Sequence, residues 1–302
     1  MPFLIFAFAL LALGERIGGK LCSVTMEGES EASYSYYYIT HSLVACIFFI
    51  FSGGFSISVN GFTLLYSVCL AASVILSMLV TMMSLRCMSV LGTGILSTPL
   101  TLLLTALSGA LIWGEPITLS VCLKILVTSV AAAVIFLDTK ATKKQGTDTE
   151  IGGTRVNFGK YVPLMLASVV LTVIQTLITK SFAVSERVTD EHSFYLLTNV
   201  VMLVFGIVML LSGSIKKPGA LRSGLSFFKF KRTLSAVGNV VMSNLKTLVT
   251  LPLLSLVNVS VFSPVTSAWG IIVGVLVSLM FKERLGVFSY AAAIIATVAI
   301  FI

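Results

Sequence analysis

Charged residues are scarce in this sequence. Asp, Glu, Lys and Arg make up 11% of its 302 residues, whereas a soluble globular domain has roughly 25%. Hydrophobic residues make up 57%, and the mean hydropathy is +1.05. Too few polar side chains are present to coat a fold in water. The composition therefore excludes a cytosolic enzyme, a secreted disulfide scaffold and a disordered chain, and it predicts a polytopic membrane protein.

Residues that build catalytic and metal sites are also few. The sequence has two histidines and five cysteines, and it contains no CxxC, HExxH, GxSxG or Walker motif. We therefore expect no enzyme activity, no metal or other cofactor, and no nucleotide hydrolysis by the chain itself. The net charge of +8 does not indicate nucleic-acid binding, because the basic residues lie in short loops between apolar runs.

Long apolar runs are abundant. A helix needs about 20 residues to cross roughly 30 Å of hydrocarbon, and ten runs approach or exceed this length. They cover residues 2–22, 38–58, 62–84, 88–113, 117–137, 161–182, 193–213, 233–256, 258–280 and 285–302. The first run lacks the basic start and cleavage site of a signal peptide, so we interpret it as a retained span. The pattern predicts an all-α fold with ten transmembrane helices.

A long polar stretch at 138–160 divides the ten spans into five and five. We assign residues 1–139 to a first five-helix repeat, 140–160 to a connecting loop and 161–302 to a second repeat. Because each half has an odd number of spans, homologous halves would have opposite orientations in the membrane.

Matching residues in the two halves support this division. The fourth span ends in IWGEPIT with Glu115, and the ninth ends in MFKERLG with Glu283. The first span ends near Lys20, and the sixth ends near Lys180. Both features recur in the same order, which predicts two inverted repeats.

This arrangement resembles the drug/metabolite transporter superfamily, in its EamA-like branch. Small multidrug resistance transporters, four-span relatives in that superfamily, carry A-E-x-I-G-T-x-x-x-K in their first span. The stretch from Gly14 to Lys20 reads GERIGGK and keeps the acid and the Ile-Gly step. The resemblance covers essentially the whole chain. It implies a permease whose spans one, three, four, six, eight and nine enclose the substrate cavity.

Glu15 is the only one of twelve acidic residues that lies well within an apolar run. A charge at that depth is costly, so its side chain should face the interior of the helix bundle. One interpretation is a carboxylate that exchanges a proton or a cation with the substrate. The other is a structural ion pair, with Arg16 or with a neighbouring helix, or a side chain that snorkels to the interface from a short first span.

Lys246 is the other deep charge, near the middle of the eighth span. Asn239, Ser243, Lys246 and Thr250 follow spacings of four, three and four, which places them on one helix face. Such a polar stripe should line a cavity, where Lys246 could hold an anionic group or pair with Glu15 in the empty state. A structural hydrogen-bonding ladder is the alternative.

Three further residues are secondary candidates for the pocket. Thr172 and Gln175 in the sixth span correspond to Glu15 and Gly18 in the first. Trp269 precedes a GxxxG motif in the ninth span and could form a cavity wall. The motif itself, Gly270 and Gly274, is typical of close helix packing.

Aromatic residues cluster at the start of the second span. Four tyrosines at positions 34, 36, 37 and 38 precede His41. Tyrosines in this position are typical of an aromatic belt at the membrane interface. We therefore interpret His41 as an interfacial residue.

Basic residues are distributed very unevenly between the loops. The loops after even-numbered spans contain only Arg187. The loops after odd-numbered spans contain fourteen, namely Arg86, Lys140, Lys143, Lys144, Arg155, Lys160, Lys216, Lys217, Arg222, Lys229, Lys231, Arg232, Lys282 and Arg284. The positive-inside rule places these loops in the cytoplasm and both termini outside, whereas the family resemblance implies the reverse.

The leading hypothesis is a secondary transporter in a bacterial plasma membrane that moves a small organic metabolite by alternating access, driven by a proton gradient or by exchange for a counter-substrate. The two deep charges suit a zwitterion, although an anion or a cation alone stays open. The expected partners are the small-molecule substrate and the lipid bilayer, and a homodimer stays open. The alternative is a non-transporting membrane subunit or sensor in which Glu15 and Lys246 form a structural pair.

Overall fold

The computed structural model describes residues 2–26, 31–85, 90–144, 158–185, 190–216, 222, 225–281 and 287–301. Over these residues the chain forms ten α-helices and no strand. The helices are α1 Pro2–Met26, α2 Glu31–Ser52, α3 Gly61–Leu85, α4 Val90–Trp113, α5 Leu119–Lys144, α6 Phe158–Ala183, α7 Glu191–Lys216, α8 Phe230–Leu256, α9 Val259–Met280 and α10 Val287–Phe301, with a 3-10 helix, η1, at Leu225–Phe228. The predicted all-α fold is confirmed.

Each helix contains most of one apolar run, and the bounds differ where polar residues extend the helix. Helix α2 begins at Glu31 rather than at residue 38, and α5 continues to Lys144 rather than ending at 137. Glu283, Arg187 and residues 145–157 of the connecting loop lie outside the described residues.

Five segments of the described chain are long and apolar enough to cross a membrane, by length and composition. They are Ser35–Ser52, Val162–Ala183, Glu191–Gly213, Phe230–Leu256 and Val259–Val277. Shorter apolar segments occur in α3, α4, α5 and α10, and α1 falls in neither group. These helices are compatible with an integral membrane protein.

The exposed face of α7 is apolar. Val200, Val204 and Val208 are exposed at helical spacing, while Leu196 and the polar Asn199 are buried. The buried amide of Asn199 donates to the Tyr195 carbonyl oxygen at 2.8 Å. A helix with its polar group inside and its valines outside suits hydrocarbon better than water.

Contacts divide the chain into two compact units. Unit 1 comprises Met1–Ala72 and Ser181–Leu253, and unit 2 comprises Ser73–Lys180 and Leu254–Ile302. Unit 1 therefore contains α1, α2, α7, η1 and most of α8. Unit 2 contains α4, α5, α9, α10 and most of α6.

In unit 1, α2 packs antiparallel to α7. Phe49 stacks on Tyr195 with ring centroids 5.4 Å apart, and the next turn of α2 brings Ser52 Oγ to 3.0 Å from His192 Nδ1. Residue numbers rise along α2 as they fall along α7, which defines the antiparallel orientation.

Helices α1 and α8 of unit 1 are also antiparallel. Gly14 faces Met242, Gly18 faces Asn239, and Thr25 Oγ1 lies 3.1 Å from Ser235 Oγ. This contact brings the middle of α1 against the polar stripe of α8.

Small side chains form the core between α5, α9 and α10 in unit 2. The buried residues are Ala131, Ala132, Ala268, Ala292, Ala296 and Ala299. Alanine allows helix backbones to approach closely. Close approach favours helix packing in a membrane, where the hydrophobic effect contributes little to association.

Candidate functional site

Two charged side chains of unit 1 form an ion pair between apolar helices. Lys246 Nζ on α8 donates to Glu15 Oε2 on α1. Ser243 Oγ, one turn earlier on α8, donates to Glu15 Oε1 at 3.0 Å. The structure thus brings together three of the predicted site residues, and both carboxylate oxygens of Glu15 have partners. We call this arrangement the Glu15–Lys246 pair.

The polar face of α8 positions this pair. Asn239, Ser243 and Lys246 follow helical spacing on the side that meets α1, as the sequence spacing predicts. The Thr250 hydroxyl turns back to its own helix and donates to the Lys246 carbonyl oxygen at 2.8 Å. Thr250 therefore supports the α8 backbone next to Lys246 and does not contact Glu15 directly.

The Glu15–Lys246 pair remains accessible. The Lys246 side chain is 26% exposed and the Glu15 side chain is 25% exposed. Charged groups between membrane helices face the bundle interior or a water-filled cavity, because contact with hydrocarbon is costly. The exposed part of the pair is therefore suited to water or to a polar ligand. Arg16, which the sequence left open as a partner of Glu15, is exposed.

A polar group with an unused acceptor lies one turn from the pair. Asn239 Nδ2 donates to the Tyr37 hydroxyl oxygen at 3.3 Å, while Asn239 Oδ1 is buried with no hydrogen-bond partner among the described residues. His41 Nδ1 is likewise buried and unpartnered there, and its ring lies 6.0 Å from that of Tyr37. Unpaired buried polar atoms are costly, so these two atoms are candidates for ligand contacts.

Sequence reasoning missed Tyr37 and His41. It assigned both to an interfacial belt, whereas the structure places the Tyr37 hydroxyl on Asn239 and the His41 ring 6.0 Å from the Tyr37 ring. Their spacing of four residues puts them on one face of α2. This spacing could have identified Tyr37 and His41 as neighbours. The tyrosines at 34, 36 and 38 made the whole group resemble an interfacial belt instead.

A close approach of α1 to α8 depends on Gly18. A Cβ added at Gly18 would lie 2.9 Å from the Asn239 Cα atom, which belongs to the backbone. At Gly19, an added Cβ would lie 3.6 Å from the Asn239 side chain, which is an ordinary contact. These neighbouring glycines offer a matched pair of substitutions.

We expect Gly18→Ala to destabilise the protein by about 1–3 kcal/mol, because the new methyl group would force α1 away from α8. Gly19→Ala should be close to neutral. Thermal unfolding of both purified variants against the parent measures this. Equal melting temperatures for the two variants would show that α1 does not pack on α8 at Gly18.

The three secondary candidates, Thr172, Gln175 and Trp269, belong to unit 2, whereas the Glu15–Lys246 pair belongs to unit 1. The Thr172 side chain is exposed and donates to the Ser168 carbonyl oxygen of its own helix at 2.9 Å. Gln175 Nε2 donates to the Ser73 carbonyl oxygen on α3 at 3.0 Å. Trp269 is partly buried on α9.

The GxxxG motif does not mediate a close helix contact within the described chain. A Cβ added at Gly270 or Gly274 would meet no atom within 4 Å. The prediction of close packing was therefore wrong for these two glycines. The spacing of the motif shows only that the two glycines lie on the same face of α9. It does not show which helix lies opposite that face.

A second ion pair, between Glu115 and Lys180, lies in unit 2. Lys180 Nζ, near the end of α6, donates to Glu115 Oε1. The backbone N–H groups of Val259 and Ser260, at the start of α9, donate to the two carboxylate oxygens at 3.0 Å each. The Trp113 ring centroid is 5.0 Å from Lys180 Nζ. One carboxylate therefore joins the α4–α5 connection to α6 and to α9.

The Glu115–Lys180 pair differs from the Glu15–Lys246 pair in its burial. Its side chains are only 4% and 6% exposed. Burial raises the pKa of Glu115, but the hydrogen bonds from Lys180, Ser260 and Val259 lower that pKa below its usual value. A buried and fully bonded carboxylate of this kind suits a structural role. Glu115 and Lys180 entered the sequence argument only as repeat features, and their contact was not predicted.

We expect Glu115→Gln to destabilise the protein by about 3–5 kcal/mol at neutral pH, because the neutral amide leaves Lys180 buried without its counter-charge. The lowered pKa of Glu115 means that its contribution is present above the ordinary carboxyl pKa and is lost as the pH falls through the folded-state value. Below that value, parent and variant should converge in melting temperature. Glu150→Gln in the connecting loop is the control. A constant difference between parent and Glu115→Gln from pH 7 to pH 3 would contradict this account.

Comparison with known proteins finds a similar fold but identifies no family. No protein-family model matches the chain, and no curated protein matches it. A solved structure described only as "Crystal structure of protein" superposes with a TM-score of 0.59 at 13% sequence identity, covering 99% of this chain and 94% of that chain. Likeness at this identity concerns the fold alone. The chain thus shares its helical fold with a known structure.

Proposed function

We propose that the chain is a secondary transporter of a small organic metabolite, with ten transmembrane helices in two inverted five-helix repeats. In this proposal it belongs to the EamA-like branch of the drug/metabolite transporter superfamily and acts in a bacterial plasma membrane. It carries out transport and no chemical reaction. The main observation behind the proposal is an accessible ion pair, Glu15–Lys246, between two apolar helices.

The packing of counterpart helices supports the repeat part of the proposal. In an inverted repeat, helix n corresponds to helix n + 5, and counterparts across the symmetry axis run in opposite directions. Helices α2 and α7 are such counterparts and are antiparallel. Helices α5 and α10 also pack together, as do α4 and α9. The Gln175–Ser73 contact of α6 with α3 is the counterpart of the Gly18–Asn239 contact of α1 with α8.

The location of the ion pair supports the transport part. Glu15 comes from the first proposed repeat and Lys246 from the second, and both residues lie in unit 1. A pair that holds one state together and breaks in another biases the equilibrium between those states. A substrate that replaces either partner would shift that equilibrium.

Ligand chemistry follows from the groups around the pair. An anionic group of the substrate would replace Glu15 at Lys246, and a cationic group would replace Lys246 at Glu15. Asn239 Oδ1 would accept a hydrogen bond from a ligand donor. A zwitterion meets all three requirements, and we propose this substrate class.

A thermal-shift screen of the purified protein against a metabolite library tests the proposal. A ligand that binds only the folded state raises the melting temperature with its concentration. We expect small zwitterions to stabilise the parent and not Lys246→Met. If no metabolite stabilises the parent, and Lys246→Met melts at a lower temperature than the parent, the protein is instead a non-transporting subunit or sensor with a structural pair.

Orientation is predicted from the basic loops. We expect a single cysteine introduced in loop 138–160, in a variant without the five native cysteines, to be shielded from impermeant thiol reagents in intact cells. The physical reason is that cytoplasmic loops retain lysine and arginine. Labelling of that cysteine, with protection of a cysteine near Arg187, would instead establish the orientation that the family resemblance implies.

A further inference from the structure

A cavity of about 440 Å³ lies at the start of α8 in unit 1. Its lining comprises Thr25 from the end of α1 and four consecutive residues, Lys229, Phe230, Lys231 and Arg232. Three of the five lining residues are cationic, and none is acidic. This volume is in the range of small-ligand sites, which is roughly 300–1,000 Å³.

Arg232 is held in place by the backbone around the cavity. Its Nε donates to the Thr25 carbonyl oxygen at 2.8 Å, and its Nη1 donates to the Ser226 carbonyl oxygen at 2.9 Å. These bonds fix the guanidinium between the end of α1 and η1. Arg232 is thus the one cation of the lining that these hydrogen bonds hold in place.

Apolar side chains surround the cations. Phe228 is 52% exposed and Phe230 is 78% exposed, on either side of Lys229. Leu225 and Leu234 are also exposed nearby. Phe227, between them in sequence, is fully buried with Cys22 and Ala236. The buried Phe227 anchors the segment, and its neighbours present aromatic rings and ammonium groups outward.

We propose that this cavity binds the headgroup of an anionic phospholipid. The phosphate would contact Lys229, Lys231 and Arg232, and the acyl chains would lie along the exposed phenylalanine and leucine side chains. Lysine and arginine next to aromatic residues at the end of a membrane helix match the charge and depth of such a headgroup. The segment that is long and apolar enough to span begins at Phe230, which places the cations at the headgroup level.

This inference rests on membrane embedding and is independent of transport. The Glu15–Lys246 pair lies farther along α8, beyond Asn239, and takes no part in the proposed lipid contact. Failure of the lipid test would therefore leave the transport proposal intact, and failure of transport would leave the lipid site intact.

Lipid titration of the purified full-length protein tests the proposal. Phosphatidylglycerol, phosphatidylcholine and inorganic phosphate are added separately, and binding is measured by native mass spectrometry and by the shift in melting temperature. We expect phosphatidylglycerol to bind and stabilise the protein more than phosphatidylcholine does. Inorganic phosphate should have little effect, because it lacks the acyl chains that contact the phenylalanines. Stabilisation by inorganic phosphate equal to that by phosphatidylglycerol would overturn the lipid assignment.

Charge-removal variants locate the site. The double variant Lys229→Ala/Lys231→Ala should weaken phosphatidylglycerol binding about twenty-five-fold, since each lysine near an anionic surface contributes a factor of about five. The control Lys140→Ala/Lys143→Ala removes the same charge from the last turns of α5, on the same predicted side of the membrane, and should retain parental binding. Both double variants should melt like the parent in phosphatidylcholine. Equal binding by the two double variants would overturn the proposal.

Discussion

Replacement of Lys246 by Met is expected to reduce substrate transport in proteoliposomes to background while the protein stays folded. Lys246 Nζ is the only described cation that contacts Glu15, and it is accessible for exchange with a substrate anion. Methionine matches the length and apolar stem of lysine but has no charge. The variant therefore loses the group that would hold the substrate.

Lys124→Met is the matched control for this prediction. Lys124 is a buried lysine on α5 whose Nζ donates to Ser120 Oγ, one turn earlier on the same helix. It lies in unit 2 and has no part in the Glu15–Lys246 pair. We expect this variant to transport like the parent. Transport by Lys246→Met at the parental rate would exclude Lys246 from substrate binding.

Glu15→Gln is expected to eliminate accumulation driven by a pH gradient while substrate exchange continues. The transport proposal makes Glu15 the coupling group, because it is the carboxylate that the Lys246 ammonium group contacts. Glutamine retains the size and the hydrogen bond from Ser243 but fixes the neutral form.

Uptake under an imposed pH gradient, compared with exchange at equal pH, measures this effect. Glu191→Gln is the control, because Glu191 is an acid at the start of α7 that is not part of the pair. Equal gradient-driven accumulation in Glu15→Gln and the parent would make Glu15 a structural residue. The coupling group would then lie elsewhere, or the protein would be an exchanger without a proton step.

Sequence patterning predicted the helices well because apolar length decides where a membrane helix forms. Each apolar run lies mainly within one helix, and the errors occur at polar ends. Helix α5 continues through Asp138 and Lys140 to Lys144, since backbone hydrogen bonding does not stop where hydropathy falls. The number of spans, the repeats and the family stay predictions.

Sequence reasoning also found the members of the candidate site but not all of their partners. Glu15 and Lys246 stood out because each is a charge in an apolar run, and the stripe on α8 followed from helical spacing. The contact of Asn239 with Tyr37 joins residues 202 positions apart, and no local pattern encodes it. The same holds for Glu115 and Lys180, whose contact depends on how α4, α6 and α9 pack.

Close helix contacts were the least predictable feature. A Cβ added at Gly270 or Gly274 would meet no atom of the described residues within 4 Å, whereas one added at Gly18 would meet the Asn239 backbone. A small residue permits close approach but does not determine which helix lies opposite. The sequence alone therefore does not show at which glycine a neighbouring helix approaches closely. The structure shows this from the contacts of each glycine.

The most direct test of the central claim is counterflow. Proteoliposomes are loaded with the metabolite that stabilises the purified protein most, and uptake of the labelled compound from outside is followed in the parent and in Lys246→Met. If the Glu15–Lys246 pair exchanges with substrate, the parent will accumulate label and the variant will match empty liposomes. Parental uptake no greater than that of empty liposomes, or equal uptake by the folded variant, would contradict the account.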